Sequence, residues 1–163
     1  MIYGDTLNKE TYLKLAIKEA MSGIAKKEGA PFGACIVKNN QVIAAAHDTV
    51  LKDNDATCHA EINVIRMASK LLNHYRLDTC EIYCTSEPCP MCLAAIYWAG
   101  IKTCYFIVDR SLAALYGFDD QYLYDELNKP ITQRDMRIIQ TNELQDDANT
   151  LFEKWKAKGL PVC

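Results

Sequence analysis

The 163-residue sequence lacks the features that would mark a membrane, secreted or polyanion-binding protein. No stretch approaches the roughly 18 uninterrupted apolar residues of a membrane span. The N-terminus has no positively charged start followed by an apolar run, so no signal peptide is expected. Lysine and arginine total 18 against 21 acids, a net charge of −3 that argues against a protein living on a polyanion. We therefore expect a cytoplasmic protein.

The chain also lacks internal repeats, low-complexity tracts and linkers. Half of its residues are apolar and 24% are charged, so it can bury a sizeable core. Its length is that of one domain, by the rough guide of 100–200 residues per domain. These properties predict a single domain that spans residues 1–163.

Cysteine is abundant, with eight residues. In a small secreted chain this number would suggest disulfides, whereas in a cytosolic enzyme it indicates metal ligands or reduced core thiols. Most of the cysteines lie in apolar runs, where a free thiol behaves as a small buried hydrophobe. We expect five reduced core residues, which are Cys35, Cys58, Cys80, Cys84 and Cys104. No role is assigned to Cys163.

Apolar periodicity alternates between helix and strand signals along the whole chain. The predicted elements are a helix around 13–24, a hairpin of strands 33–38 and 41–46, a helix from about 59, a strand 80–85, a helix 89–98, a strand 102–108, short helical pieces in 111–130, a fifth strand 136–140 and a helix 144–158. This order predicts an α/β fold in which helices cover both faces of a central five-stranded sheet, a three-layer α-β-α sandwich.

Two short motifs carry candidate metal ligands. They are His59-Ala60-Glu61 and Pro88-Cys89-Pro90-Met91-Cys92. Cysteines at i and i+3 lie on one face of a helix, so both thiolates can reach the same ion. The dipole at a helix start favours their negative charge. With His59 as a nitrogen ligand, three protein ligands leave one position open on a tetrahedral zinc, which is typical of a catalytic site.

Glu61 is the candidate catalytic residue. It lies two residues from a ligand, so it is poorly placed to be a fourth ligand. A zinc-bound water can ionise near neutral pH, and a nearby carboxylate can shuttle protons between that water and a substrate. The pair H-x-E and P-C-x-x-C is the signature of zinc deaminases.

On these motifs the chain is identified as a member of the cytidine-deaminase-like superfamily. Some 100 residues, from Pro31-Phe32-Gly33-Ala34 to about Pro130, resemble the bacterial guanine deaminases of that superfamily. The segments that carry the resemblance are ThrCysHisAlaGlu at 57–61, SerGluProCysProMetCys at 86–92, AlaIleTyrTrpAla at 95–99, GlyPheAspAsp at 117–120 and TyrLeuTyrAspGluLeuAsnLysPro at 122–130. The last of these is absent from most relatives, so it weighs most in the choice of substrate.

The resemblance implies a cytidine deaminase-like fold with a mixed sheet, one catalytic zinc per subunit and a homodimer whose C-terminal helix can be exchanged between subunits. It also implies a hydrolase that acts on the C–N bond of a cyclic amidine and converts guanine to xanthine and ammonia. In the hypothesised reaction, zinc-bound hydroxide attacks guanine C2 and Glu61 transfers the protons. The implied substrate contacts are Phe32, Asp48, Ala60, Trp98 and Asp120.

Asp48 departs from the family, because relatives carry an asparagine at the aligned position. An asparagine side chain donates and accepts hydrogen bonds, whereas an ionised aspartate only accepts them. Where the amide of a relative donates to a ring acceptor, Asp48 would repel that acceptor. The substrate can present a donor there, Asp48 can be protonated, or the alignment can differ by one residue. The reaction type is therefore better determined than the substrate.

Simpler interpretations apply to each of these residues. The three metal ligands could form a structural zinc site, and Phe32 and Trp98 could be ordinary core residues. Asp119 and Asp120 could belong to a solvated turn or a helix cap. His47 and His74 are expected to be surface or hydrogen-bonded histidines.

Other functions compete with guanine deamination. A tRNA adenosine deaminase would need a groove for phosphates, but residues 119–147 carry eight acids and three bases, 3 − 8 = −5. Cytosine, guanosine or another amino-heterocycle remains an alternative substrate. A non-catalytic zinc-stabilised binding module is a further alternative, which an intact Glu61 does not favour.

Overall fold

Residues 4–162 are described by a computed structural model, with the backbone alone described for residues 4–8. The helices in chain order are α1 (Gly4–Lys26), α2 (Val50–Asp53), α3 (Ala60–Leu72), α4 (Pro90–Trp98), α5 (Arg110–Leu115), α6 (Gln121–Asn128) and α7 (Gln145–Ala157), with a 3-10 turn at Ile131–Gln133. The strands are β1 (Gly33–Lys38), β2 (Gln41–His47), β3 (Cys80–Ser86) and β4 (Thr103–Val108).

The four strands form one mixed sheet in the order β2-β1-β3-β4. Strand β1 is antiparallel to both of its neighbours, whereas β3 and β4 are parallel and are connected through α4. The predicted hairpin is confirmed: Asn39 and Asn40 both have positive φ, 50° and 62°, as a type I′ turn between two strands requires.

Helices cover both faces of the sheet, as the alternation of side chains along β1 demands. On one face, Cys35 and Val37 pack with Tyr12 of α1. On the other, Ala34 and Ile36 belong to the main core, which includes Val64 of α3 and Ile96 of α4. The predicted three-layer α-β-α sandwich is therefore confirmed.

The predicted fifth strand over 136–140 is wrong. The sheet that the structure describes has four strands, and residues 137–140 have no regular structure. The apolar run Met136–Ile139 resembles a strand in composition, but a strand needs a hydrogen-bonded partner to be stable. Within residues 122–162 the regular elements are helical, so this part of the chain offers no such partner.

The chain divides into two compact units, residues 1–121 and 122–163. In the second unit, the guanidinium of Arg134 donates to the carbonyl oxygens of Lys129 and Leu127, each at 3.2 Å, and so links the segment after α6 to the end of that helix. The single domain over 1–163 stays a prediction.

Seven cysteines lie among the described residues, and all seven are free thiols. Cys35, Cys58, Cys80 and Cys84 are buried, as expected of reduced core residues, and Cys104 is half-buried. Cys163 lies outside the described residues. A separate expectation concerned membranes: no described helix combines the length and apolar character that a membrane crossing requires.

Candidate active site

Two helices begin at the same place and supply the candidate metal ligands. His59 is the N-cap of α3 and Cys89 is the N-cap of α4, each with an extended backbone (ψ 157° and 167°) and without a side-chain capping bond. Pro90 occupies the first turn of α4, where its missing N–H is no loss. Cys92, also in the first turn, lies on the same side as Cys89. The local sequence thus directs three ligand side chains away from their helices.

The ligand atoms of these three residues converge. The Nδ1 atom of His59 lies 3.6 Å from the Sγ atom of Cys89 and 3.5 Å from that of Cys92. All three ligand atoms lie within 4.8 Å of one another. Thiolate and imidazole ligands at this convergence suit a four-coordinate zinc ion.

The two nitrogen–sulfur distances fit a tetrahedral zinc site. Typical bonds of about 2.3 Å to sulfur and about 2.0–2.1 Å to nitrogen, at a tetrahedral angle, place the two ligand atoms about 3.5 Å apart. The measured separations of 3.6 and 3.5 Å match that value. Three protein ligands also leave one coordination position for water or substrate, which favours a catalytic over a structural site.

The electrostatics of the cluster favour one deprotonated sulfur, that of Cys89. A hydrogen bond from Cys92 lowers the pKa of the Cys89 thiol to about 4, with further help from His59. The same hydrogen bond, together with burial, raises the pKa of Cys92. The pKa of His59 is raised, first by its hydrogen bond with Cys89. A divalent cation bound to both sulfurs would favour the thiolate form of each, because metal binding releases thiol protons.

Glu61 lies beside the ligands and is buried, with 7% of its surface exposed. Its Oε2 atom accepts a hydrogen bond of 3.5 Å from Cys92 Sγ. Burial raises the pKa of its carboxyl group to about 6, so the group can gain or lose a proton near neutral pH. The geometry places the Glu61 carboxyl beside the candidate metal ligands, and its role in proton transfer stays a prediction.

Asp48 is almost completely buried, with 2% of its surface exposed, at the turn that follows β2. Its Oδ1 atom accepts hydrogen bonds from the backbone N–H groups of Ala30 (3.0 Å) and Val50 (3.2 Å). Its own N–H donates to the carbonyl of Phe32 at 3.0 Å. A Cβ atom on Gly29 would lie 2.1 Å from the same Oδ1, so only glycine fits there. Asp48 therefore holds the loop that carries Phe32.

Phe32 is half-buried at the start of β1 and borders an apolar cavity of about 220 Å³. Its ring meets the edge of Phe118 with centroids 4.9 Å apart and an angle of 74° between the rings. Phe118 had no predicted role of its own, although its place within GlyPheAspAsp was a signal. Edge-on packing against Phe118 fixes the orientation of the Phe32 ring.

Asp120 follows Phe118 and is half-buried. Burial raises the pKa of its carboxyl group, and the negative charges of Cys89 and Glu87 raise it further. The positive charge of Arg110 lowers this pKa and so opposes the rise. The Asp120 Oδ1 atom lies 3.3 Å from Nη2 of Arg110, the first residue of α5.

The other two predicted substrate contacts, Ala60 and Trp98, stay predictions. Ala60 is the first residue of α3, next to His59, and its side chain is buried in the main core. Trp98 is the last residue of α4 and is 68% exposed. Since Cys89 caps the opposite end of this helix, the rise of about 1.5 Å per residue separates the two by roughly 13 Å. Trp98 is not grouped with the metal ligands of its own chain.

Both remaining histidines have hydrogen-bond partners. His47 lies within hydrogen-bond distance of Glu19 (3.3 Å) and Glu28 (2.6 Å), which belong to α1 and the loop after it. His74 accepts from the backbone N–H of Arg76 at 2.9 Å. The prediction of surface or hydrogen-bonded histidines agrees with these contacts.

Asn63 is a residue that the sequence analysis missed. Its Nδ2 group lies 3.0 Å from the carbonyl of His47, 2.9 Å from Thr49 Oγ1 and 3.1 Å from the carbonyl of Cys58. These contacts fasten the turn at Asp48 to α3. No motif marks an asparagine in this role, because its acceptors lie outside its own helix, in the segment from the end of β2 to the start of α3.

Comparison with known proteins gives concordant results. The sequence profile of the cytidine and deoxycytidylate deaminase zinc-binding region matches residues 7–108. The chain is similar to guanine deaminase of Bacillus subtilis, with 45% identity over 134 residues, which cover 82% of this chain and 86% of that protein. The X-ray structure of guanine deaminase from the same species superposes with a TM-score of 0.86 at 41% identity and covers 91% of this chain and 93% of that one.

A second group of relatives matches over a shorter span. The tRNA-specific adenosine deaminase of Aquifex aeolicus is 41% identical over 100 residues, which cover 61% of this chain and 66% of that protein. The similarity to the guanine deaminase thus extends over more of this chain, 134 residues against 100.

We predict that Cys89→Ser and His59→Ala lower the zinc content of the purified protein by at least about tenfold, since each removes one of three protein ligands. Plasma emission spectroscopy of dialysed protein measures this directly. The matched control is Cys104→Ser, which changes a half-buried thiol outside the ligand cluster and should leave one zinc per chain. Full zinc content in Cys89→Ser would contradict the assignment.

Proposed function

The chain belongs to the cytidine and deoxycytidylate deaminase zinc-binding family, and we propose that it is a zinc-dependent hydrolase that converts guanine to xanthine and ammonia. The observation that carries the choice of guanine is the extent of similarity: 134 residues align with a guanine deaminase, against 100 with a tRNA deaminase. The His59, Cys89 and Cys92 cluster supplies the chemistry that such a reaction requires.

The metal chemistry is assigned to three residues of this chain. His59, Cys89 and Cys92 would hold the ion through one nitrogen and two sulfur atoms. A zinc ion in such a site lowers the pKa of water to near neutrality and so supplies a hydroxide nucleophile, here for guanine C2.

Glu61 performs the proton transfers. Its carboxylate accepts a proton from the attacking water and donates it to the ring nitrogen next to C2. It then assists a second transfer to the amine, so that the C–N bond breaks and ammonia leaves. Its burial supports this role, because a pKa raised to about 6 suits a group that both accepts and donates a proton near pH 7.

Base binding is assigned to the surroundings of the cluster. Phe32 offers an aromatic face for a planar purine, and the Asp120 carboxylate accepts hydrogen bonds from ring or amino N–H groups. Asp48 presents a carboxylate at this end of the sheet, and its Oδ1 already serves two backbone donors. A base that meets the other oxygen must offer a donor there.

A tRNA substrate is disfavoured by charge. The segment after the catalytic helices carries five more acids than bases, eight against three over residues 119–147, and would repel a phosphate backbone. The free base is the better substrate on this ground.

We also propose a homodimer in which the C-terminal segment is exchanged. Strand β4 is an edge of the sheet with Phe106 and Ile107 exposed, and residues Met136 and Ile139 are exposed as well. An unpaired strand edge and an apolar, strand-like segment are complementary, because each offers the hydrogen bonds and apolar cover that the other needs. The exposed Leu151, Phe152 and Trp155 of α7 support a second surface that a partner covers.

A cytoplasmic location is part of the same proposal. The seven described cysteines are free thiols, a state that a reducing compartment maintains.

Ammonia release from guanine, guanosine, cytosine and adenine tests the function. We expect release from guanine at a kcat/KM at least about a hundredfold above that for the other three, and loss of release after chelation, because the nucleophile depends on the metal. Turnover of cytosine alone would contradict guanine deamination, and no release from any base would favour a non-catalytic zinc module.

Glu61→Gln should retain zinc but lose about 10²–10⁴-fold in kcat, since it removes the proton acceptor. In the unchanged enzyme, kcat/KM should decrease as the pH drops below about 6, because the Glu61 carboxyl, whose pKa is about 6, is then protonated. A bound cation stabilises the carboxylate form of Glu61, so the acid limb of the pH profile should lie at this pH or lower. The control, Glu10→Gln, alters an exposed ion pair on α1 and should change neither quantity. An acid limb well above pH 6 would argue against Glu61 as the base.

Light scattering after size-exclusion chromatography tests the homodimer. The expected mass is twice the 18.4 kDa of one chain. Ile139→Asp should shift the protein toward the monomer, because it places a charge in the apolar segment that is proposed to pair with β4. Asn142→Asp, an exposed polar position nearby, serves as the control. A monomeric unchanged protein at micromolar concentration would refute the exchange.

A further inference from the structure

The junction between β4 and α5 is tied to the metal-ligand loop by Glu87, which lies two residues before Cys89. The backbone N–H of Glu87 donates to the carbonyl of Val108 at 2.8 Å. Its carboxylate in turn accepts from the backbone N–H of Arg110 at 3.1 Å. Asp109 caps α5 by accepting from Leu112 N–H at 2.8 Å. The backbone of Arg110 is therefore fixed relative to the loop that carries Cys89.

From this fixed point, the Arg110 side chain reaches the segment that carries Asp120. Its Nη2 atom lies 3.3 Å from Asp120 Oδ1 and donates to Gln121 Oε1 at 2.8 Å. The two partners of the ion pair are largely buried, with 28% and 19% of their side chains exposed, so solvent screens the pair only in part. Arg110 thus connects two parts of the site that are distant in sequence.

We propose that Arg110 is a positioning residue that holds the Asp120 carboxylate at a fixed place relative to the metal ligands and so determines how tightly the purine base binds. The proposal rests on the proposed function, in which Asp120 meets the polar edge of the base. Arg110 acts through Asp120 and does not touch the reacting atoms.

The arrangement has a clear energetic consequence. A carboxylate that binds the base in the ground state and the transition state alike contributes to KM and leaves kcat unchanged. Loss of the arginine lets the Asp120 carboxylate rotate and removes a charge-assisted contact. The free-energy cost of ordering that carboxylate then weakens the binding of the base. We therefore expect the loss of Arg110 to raise KM and to leave kcat unchanged.

A double-mutant cycle on the zinc-loaded full chain, with guanine as substrate, tests this coupling. Arg110→Gln should raise KM by about tenfold with kcat within about twofold. Asp120→Asn should raise KM at least as much, and the double variant should be no worse than Asp120→Asn alone. Arg110→Lys should restore part of the affinity, because it retains the positive charge. Additive effects of the two substitutions, or a fall in kcat with an unchanged KM, would overturn the proposal.

Arg76→Gln is the matched control, because it removes an arginine–aspartate pair, with Asp78, that lies on the exposed surface. It should leave KM unchanged. Zinc content and melting temperature of all variants separate a change of position from a failure to fold.

A readout without substrate distinguishes failure of this proposal from failure of the proposed function. The charged groups that act on Asp120 are Arg110, Cys89 and Glu87, of which only Arg110 favours the carboxylate. In ¹³C NMR of the Asp120 carboxyl, Arg110→Gln should raise its pKa, whereas Arg76→Gln should not. If the pKa responds but guanine is not turned over, the positioning stands and guanine is the wrong substrate. An unresponsive pKa overturns the positioning itself.

Discussion

The imidazole nitrogen of His59 lies 3.5–3.6 Å from two cysteine sulfurs, and this contact depends on the meeting of two helix N-termini. Helix α3 comes after the hairpin and α4 after the strand next to it, so the pairing of β1 with β3 brings both helix starts to one end of the sheet. Neither the His59 nor the Cys89 side chain makes a capping hydrogen bond to its own helix. A helix start also favours negative charge, which suits thiolates.

The surroundings of the ligands are held by hydrogen bonds between distant parts of the chain. Asn63 joins α3 to the turn after β2, and Asp48 joins that turn to the loop of Phe32. On the opposite side, Glu87 and Arg110 join the loop of Cys89 to the segment of Asp120. The metal ligands and the aromatic and carboxylate groups around them therefore belong to one connected framework, as a preorganised site requires.

The metal-ligand group could be predicted from sequence, because its motifs are local and its residue types have few other reasons to occur together. Glu61 lies beside that group, and its catalytic role stays a prediction. The elements that position them followed from periodicity in the same way. The prediction of a fifth strand was wrong because a strand depends on a hydrogen-bonded partner, which no local pattern reveals. Phe118, Asn63 and Arg110 were missed for a related reason: each makes its contacts with residues to which no local motif connects it. The family resemblance implied the contact of Trp98 with the base; Trp98 lies at the opposite end of α4 from Cys89, and that contact stays a prediction.

The two oxygens of the Asp48 carboxylate differ in their hydrogen-bond partners. One of them receives the backbone N–H groups of Ala30 and Val50 and sits against a glycine with no room for a side chain. Asparagine carries an equivalent oxygen and would satisfy the same donors, so an exchange between the two residues alters only the second atom, from acceptor to donor. A single nucleotide change in the codon suffices for this exchange. The position can therefore change between the two side chains during evolution without disturbing the loop contacts that hold it, and at the proposed base contact such a change would exchange an acceptor for a donor.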